Sequence, residues 1–201
     1  MFSIFPVAKT KMEIIDTVRK TNLEWTEVRN GLFTDFYVAP KVKSYISPLP
    51  LVLDIQGNAA GIPGTGNEPL VFTYTFDIAK YVTELVLDSK PWGRVSVIVG
   101  DKITWNEFVK ISEEVKGTKF QVTYESDESL KQGKVTELPS HPHIYPFFPK
   151  EALQGLSSSF GQLFAAGDFD LKSDSSNSLN ARYPDIKPKS VKQLVQEAWG
   201  Q

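Results

Sequence analysis

Residues 70–117, LVFTYTFDIAKYVTELVLDSKPWGRVSVIVGDKITWNEFVKISEEVKG, read as strand, helix, strand and helix in one continuous run. Leu70 to Thr75 is rich in branched and aromatic types and predicts a strand. Asp77 is placed to cap the helix that follows, because a carboxylate there can accept from the unpaired amide hydrogens of the first turn. Ile78, Val82, Leu85 and Val86 recur at helical spacing as the buried stripe, and the helix stops near Pro91. Arg94 to Val99 is a second β-prone run, closed by Gly100-Asp101. Thr104 and Glu107 have capping-box spacing, Phe108, Ile111 and Val115 share one face, and Gly117 stands where a helix should end. Strand and helix in alternation predict a layered α/β sheet.

The same reading extends in both directions. Upstream, Met12, Ile15 and Val18, widened by Ile14, predict a helix from Lys11 to Asn22, followed by a strand over Leu23–Arg29 and a turn at Asn30-Gly31. Residues 39–69 carry five prolines and four glycines and predict loop with short strands such as Leu51–Ile55. Downstream, Phe120–Tyr124 predicts a strand, and Ser126 opens a short helix ending at Gly133. Beyond Pro139, the apolar residues Phe147, Phe148, Phe160, Leu163 and Phe164 imply helices packed on an apolar surface, and residues 172–182 are polar and serine-rich. The last helix is framed by a Ser190/Gln193 capping box and Gly200, with Val191, Leu194, Val195, Ala198 and Trp199 facing inward.

A chain of 201 residues with 41% hydrophobic content has ample material for a packed core. Its 22 basic and 24 acidic residues are interspersed, so no footprint for nucleic acid or an anionic membrane is expected. The expected partners are a small apolar or aromatic molecule, or protein. No cysteine is present, which excludes disulfides, thiolate metal sites and cysteine nucleophiles. No apolar run approaches the ~20 residues of a membrane-spanning helix and the N-terminus lacks a signal-peptide pattern, so a soluble, cytoplasmic protein is expected.

Several motifs invite chemistry and lose to a simpler reading. Gly61-Ile62-Pro63-Gly64-Thr65-Gly66 resembles a phosphate loop in composition, but a strand follows it where a helix is required, so it reads as a turn. In His141-Pro142-His143 the proline is expected to hold the backbone extended and send the rings to opposite sides, which favours a structural or exposed role over metal binding. Asp168-Phe169-Asp170 and Asp127-Glu128 sit beside caps or turns and read as solvated faces. No G-x-S-x-G occurs, so an esterase elbow is unsupported.

The stretch from Lys11-Met12-Glu13-Ile14 to Leu23-Glu24-Trp25-Thr26-Glu27-Val28-Arg29-Asn30-Gly31-Leu32-Phe33 resembles the NmrA-like and isoflavone-reductase-like pattern: a helix lysine, an aromatic-Thr strand, then G-x-F. Pro63-Gly64-Thr65-Gly66, Thr75-Phe76-Asp77-Ile78-Ala79, Gly100-Asp101-Lys102-Ile103-Thr104-Trp105 and Tyr183-Pro184-Asp185-Ile186-Lys187-Pro188 match in order, so the resemblance spans nearly the whole chain. It implies an atypical short-chain dehydrogenase that binds NADP(H) on a Rossmann sheet and covers an often aromatic substrate with a smaller C-terminal region. It further implies that Lys11, with Lys9 as fallback, hydrogen-bonds or protonates a substrate oxygen, and that Asn30, Gly31, Leu32 and Phe33 border the nicotinamide and substrate pocket.

Relatives carry a glycine-rich dinucleotide turn upstream of the helix lysine, and here only ten residues precede Lys11. The expectation is therefore an α/β fold comprising the C-terminal part of a Rossmann-type parallel sheet with helices, plus a smaller α+β substrate-side region. It is a single domain over 1–201 that lacks the cofactor half, with 1–38 a Rossmann helix–strand remnant and 39–201 the Rossmann end and substrate region. Function follows as the substrate-side portion of an NAD(P)H-dependent reductase that does not hold NADP(H) tightly by itself. The alternatives are a non-catalytic regulatory or ligand-binding module and an inactive fragment. A sheet lacking half its strands should expose an edge and favour self-association or a protein partner.

Overall fold

The structure, a computed structural model, describes residues 6–200. It opens with α1 (Pro6–Val18), β1 (Glu27–Arg29), β2 (Leu32–Phe33), α2 (Asp35–Val38), β3 (Leu53–Asp54), β4 (Ala59–Pro63) and β5 (Leu70–Thr73). There follow α3 (Thr75–Leu87), β6 (Val95–Val97), β7 (Asp101–Ile103), α4 (Trp105–Lys116), β8 (Gln121–Glu125) and α5 (Asp127–Lys131). The chain ends with α6 (His141–Ile144), α7 (Lys150–Ala165), α8 (Leu179–Arg182) and α9 (Val191–Trp199).

The strands form three small sheets. β1 pairs parallel with β6, as a Rossmann sheet requires. In the second sheet β2 lies parallel to β5, with Leu32 opposite Phe72 and Phe33 opposite Thr73, and β5 lies antiparallel to β7. In the third, β4 lies between antiparallel β3 and parallel β8. The amide of Ile98 donates to the Arg29 carbonyl at 2.8 Å, and that of Gly100 to Thr73 Oγ1 at 3.2 Å, which stitches the first sheet to the second.

Two apolar clusters hold these layers. The larger one gathers Leu53, Ile62, Leu70, Phe72, Leu153, Phe164 and the inner face of α9 around a nest of Tyr37, Phe72, Trp105 and Phe108. Within the nest Phe72 meets Trp105 and Phe108 edge-on at 5.3 and 5.2 Å between centroids, the geometry that ring quadrupoles favour. Full burial of each such ring contributes about 2–3 kcal/mol. The smaller cluster, Tyr81, Leu85, Ile98 and Leu179 with Val28 and Ile78 against it, lies under the β1–β6 pair.

Both capping boxes form as expected: Thr104 and Glu107 bond reciprocally at the start of α4, and Ser190 and Gln193 at the start of α9. Gly117 ends α4 in the left-handed conformation, with φ 63°. Ser126 caps α5.

Five expectations need correction. The first helix starts at Pro6, where a fixed φ suits a first turn, and ends at Val18, so Lys11 lies in mid-helix and does not open it. The strand expected from Leu23 narrows to Glu27–Arg29, because only those residues have β6 to pair with. Asp77 is not the cap of α3. It lies in the first turn with its side chain buried, accepting from the Lys189 amide at 2.8 Å and Lys80 Nζ at 2.7 Å. Val86, placed on the buried stripe, is 61% exposed. The fifth concerns His141-Pro142-His143, which is a helical turn and not an extended segment, since proline is compatible with a first turn.

Candidate functional site

Asn30-Gly31 turns the chain from β1 into β2, and its shape is dictated by what lies behind it. Gly31 has φ +71°, and a β-carbon there would stand 2.0 Å from the Val71 carbonyl oxygen. Only glycine meets both conditions. The Asn30 carbonyl accepts from Thr73 Oγ1 at 2.7 Å, which locks the turn to the end of β5. Leu32 then enters the core at 4% exposure, and Phe33 is half-buried against Phe36 at 5.8 Å between ring centroids. Asn30, Gly31 and Phe33 therefore border a surface with side chain or backbone, whereas Leu32 can do so only through its backbone.

Asp35, next along the chain, organises the surroundings. Its buried carboxylate accepts from Ser44 Oγ at 2.6 Å and from the amide and hydroxyl of Thr75 at 2.9 and 2.6 Å. Because Thr75 begins α3, Asp35 does from forty positions away what a local N-cap would do. Three segments, 30–36, 43–46 and 73–76, are thereby held side by side. Sequence reasoning missed Asp35, whose partners are too far along the chain for any local spacing to reveal.

The Lys11 side chain is exposed on α1 and makes no hydrogen bond or ion pair among the described residues. Lys9, the fallback, lies 4.0 Å from Glu13 one helical turn on. The structure brings Asn30 to Phe33 together but does not bring Lys11 into contact with them.

The test for a dinucleotide is whether a strand-to-helix junction offers glycine-backed amides to a pyrophosphate. The β5-to-α3 junction carries Tyr74-Thr75, with its first amide already bonded to Asp35. At the β7-to-α4 junction Thr104 closes its own capping box. Gly64 and Gly66 take left-handed φ of 62° and 71° in the turn between β4 and β5, where no helix follows. The described residues do not fit a whole dinucleotide; they offer a wall at Asn30–Phe33 and no cradle for phosphates.

Other chemistry-bearing residues are engaged in structure. His141 is buried, its Nδ1 accepting from the Leu138 amide at 3.2 Å and its Nε2 within 2.8 Å of the Pro50 carbonyl. That pairing requires the neutral tautomer with hydrogen on Nε2, a core role. Among the described residues no group of three or more His, Asp or Glu side chains could hold a metal, and no helix is long and apolar enough to cross a membrane.

Comparison with known proteins gives the lineage. No family profile matches the chain. Oxidoreductase swnN of Metarhizium robertsii is 35% identical over 130 residues, 63% of this chain and 38% of that protein. Oxidoreductase BOA1 of Botryotinia fuckeliana is 30% identical over 186 residues, 91% of this chain and 57% of that protein. The chain thus spans about half the length, or less, of these curated relatives. Among solved structures, an isoflavone reductase superposes with a TM-score of 0.68 at 17% identity, over 98% of this chain and 60% of that one. The NADPH complex of leucoanthocyanidin reductase from Vitis vinifera also gives 0.68, at 15% identity, over 95% and 57%.

Proposed function

We propose that the chain, which resembles the NmrA-like, isoflavone-reductase-like family, forms the substrate side of an NAD(P)H-dependent oxidoreductase acting on an aromatic or secondary-metabolite-like small molecule. The observation that carries this reading is the alignment with an oxidoreductase over 91% of the chain, which leaves the unaligned remainder on the relative's side. The fold shared with NADPH-bound reductases supports NADP(H) as the cofactor of the whole assembly. A reduced nicotinamide supplies hydride in such enzymes, and among the described residues no glycine-rich strand-to-helix junction is present to receive its phosphates.

The chain's own share is positional. Asn30, Gly31 and Phe33, with the Leu32 backbone, form the wall that a substrate and nicotinamide would meet, rigid because Thr73 and Val71 back it. Lys11 contributes an ammonium that donates to, or protonates, a substrate oxygen. A cytoplasmic location belongs to the same proposal.

Calorimetry with NADPH on this chain is expected to show no binding in the low-micromolar range, and a low-micromolar Kd would overturn this division of labour. In a full-length protein containing the segment, Lys11→Ala should lower kcat by about 10²- to 10⁴-fold, the usual worth of a general acid. Unchanged turnover would remove Lys11 from the mechanism. The exposure of Lys11 favours one second reading: a module that binds a ligand on this wall without chemistry. Turnover insensitive to Lys11 and to Phe33→Ala would support it.

A further inference from the structure

Beside the Asn30–Phe33 wall lies a stack of three rings that no core packing completes. Tyr74 and Phe76 stack at 5.3 Å between centroids and 27° between planes, and Phe76 and Tyr45 at 5.7 Å and 28°. The stack is graded from inside to outside: Tyr74 is 6% exposed, Phe76 is half-buried and Tyr45 is 88% exposed. Phe76 is common to both contacts, and the outermost ring has a face with nothing on it.

An exposed tyrosine alone means little, since singly exposed apolar groups are ordinary. Tyr45 differs in being held. Ser44 Oγ donates to buried Asp35 at 2.6 Å, the Ile46 amide donates to Ser44 Oγ at 3.1 Å, and the Tyr74 hydroxyl donates to the Lys43 carbonyl. Residues 43, 44 and 46 are thus pinned on both sides of Tyr45. A platform ordered beforehand loses less entropy when a ring settles on it.

Charge narrows the occupant. Lys43 Nζ lies 5.1 Å from the Phe76 ring centroid, and among the described residues no carboxylate pairs with it. The nearby acids are engaged elsewhere: Asp35 with Ser44 and Thr75, Asp77 with Lys80 and the Lys189 amide, and Glu197 with Lys189 at 2.5 Å. An ammonium with no carboxylate in an ion pair to it, over the middle ring of a stack whose outer ring is open, suits a planar ring with an anionic substituent.

We propose that Tyr45, Phe76 and Lys43 form a binding platform for a planar aromatic ligand carrying an acidic group, its ring laid on the outer face of Tyr45 and its acid beside Lys43. Asp35 joins this platform to the Asn30–Phe33 wall through Ser44 and Thr75, so the ligand would be the substrate of the reductase proposed above, and to that extent the inference rests on that reading. The binding itself needs neither cofactor nor turnover.

The test is titration of the chain with 2-naphthoate, followed by calorimetry and by ring-proton NMR. Neutral 2-naphthalenemethanol and non-aromatic cyclohexanecarboxylate serve as comparisons. Saturable binding of 2-naphthoate with shifts at Tyr45 and Phe76 is expected, tighter than either comparison. Tyr45→Ala should weaken it by about fivefold or more, and Tyr45→Phe should retain it, as stacking predicts. Lys43→Gln should weaken 2-naphthoate by about two- to fivefold and leave the alcohol unchanged, the size of an exposed charge contact. Both side chains are exposed, so circular dichroism should confirm that the variants fold. Absence of saturable binding, equal affinity in Tyr45→Ala, or equal affinity for cyclohexanecarboxylate would overturn the proposal. These outcomes are independent of the Lys11→Ala turnover measurement, so a failure here and a failure of the reductase reading are told apart.

Discussion

Gly31 and Asp35 show how differently two neighbouring residues announce their roles. Asn-Gly after a β-prone run marks a turn by local chemistry alone, and the structure adds the second constraint, the Val71 carbonyl where a β-carbon would go. Gly31→Ala is expected to cost about 2–4 kcal/mol in urea denaturation, from a left-handed φ and a close backbone contact acting together. A loss below about 0.5 kcal/mol would show that the turn can relocate, and would remove the rigidity assigned to the wall. Asp35 carries no comparable local signal. Its three hydrogen bonds go to residues nine and forty positions away, and a buried carboxylate becomes intelligible only when those partners are seen.

At the scale of elements, the capping and stop signals of α4 and α9 held, each with a partner three or four residues away. The Thr104/Glu107 and Ser190/Gln193 boxes and the Gly117 stop are of this kind. Thr104→Ala should lower stability by about 1 kcal/mol in chemical denaturation, and an unchanged midpoint would mean that α4 is held by packing alone. The end of α3 is fastened differently. The Asp88 carboxylate accepts from the Lys90 amide at 2.9 Å, Arg182 Nε at 2.9 Å and the Tyr183 hydroxyl at 3.0 Å, and so clamps α8 to the corner after α3. The Lys90 amide first, then the Arg182 guanidinium, hold this carboxyl down to about 2, below its ordinary 3.8. A lowered folded-state value means that the ionised form stabilises the fold: the contribution is present above pH 3.8 and is lost as pH falls through about 2. Denaturation midpoints measured between pH 5 and pH 2 should therefore decline, and Asp88→Asn should lose this part of the decline. An identical slope in the variant would assign the acid sensitivity to other groups.

For the molecule as a whole, the two-stranded β1–β6 sheet has an open edge among the described residues. β1 pairs with β6 on one side, and among the described residues no strand lies on the other. Met12 at 48%, Ile14 at 57% and Leu23 at 68% exposure lie on α1 or between it and β1, and Val86 and Leu87 on α3 are more than half exposed. An unpaired strand edge is a template for association, and exposed apolar side chains add to it. We propose that the open edge is covered by self-association or by a protein partner. Sedimentation at tens of micromolar should show self-association of this chain, relieved by replacing Met12 and Ile14 together with Glu. A native chain that stays monomeric would count against it.

What the sequence by itself determined is the α/β alternation, the caps of α4, α5 and α9 with the Gly117 stop, the Asn30-Gly31 turn, and a family resemblance whose residues match in order along the chain. These follow from interactions within one helical turn or from the order of motifs, both visible in one dimension. Only the tertiary structure decided that Asp77 is buried away from a cap role, that Asp35 takes that role, that His141 is a core side chain, and that Tyr45 ends a ring stack. Each of these depends on a partner dozens of residues distant, brought within hydrogen-bonding or stacking distance by the packing of β5, α3 and the 43–46 segment. The exposure of Lys11 has the same origin: a helix face is buried only when another element arrives to cover it, and no pattern within the helix can show whether one does.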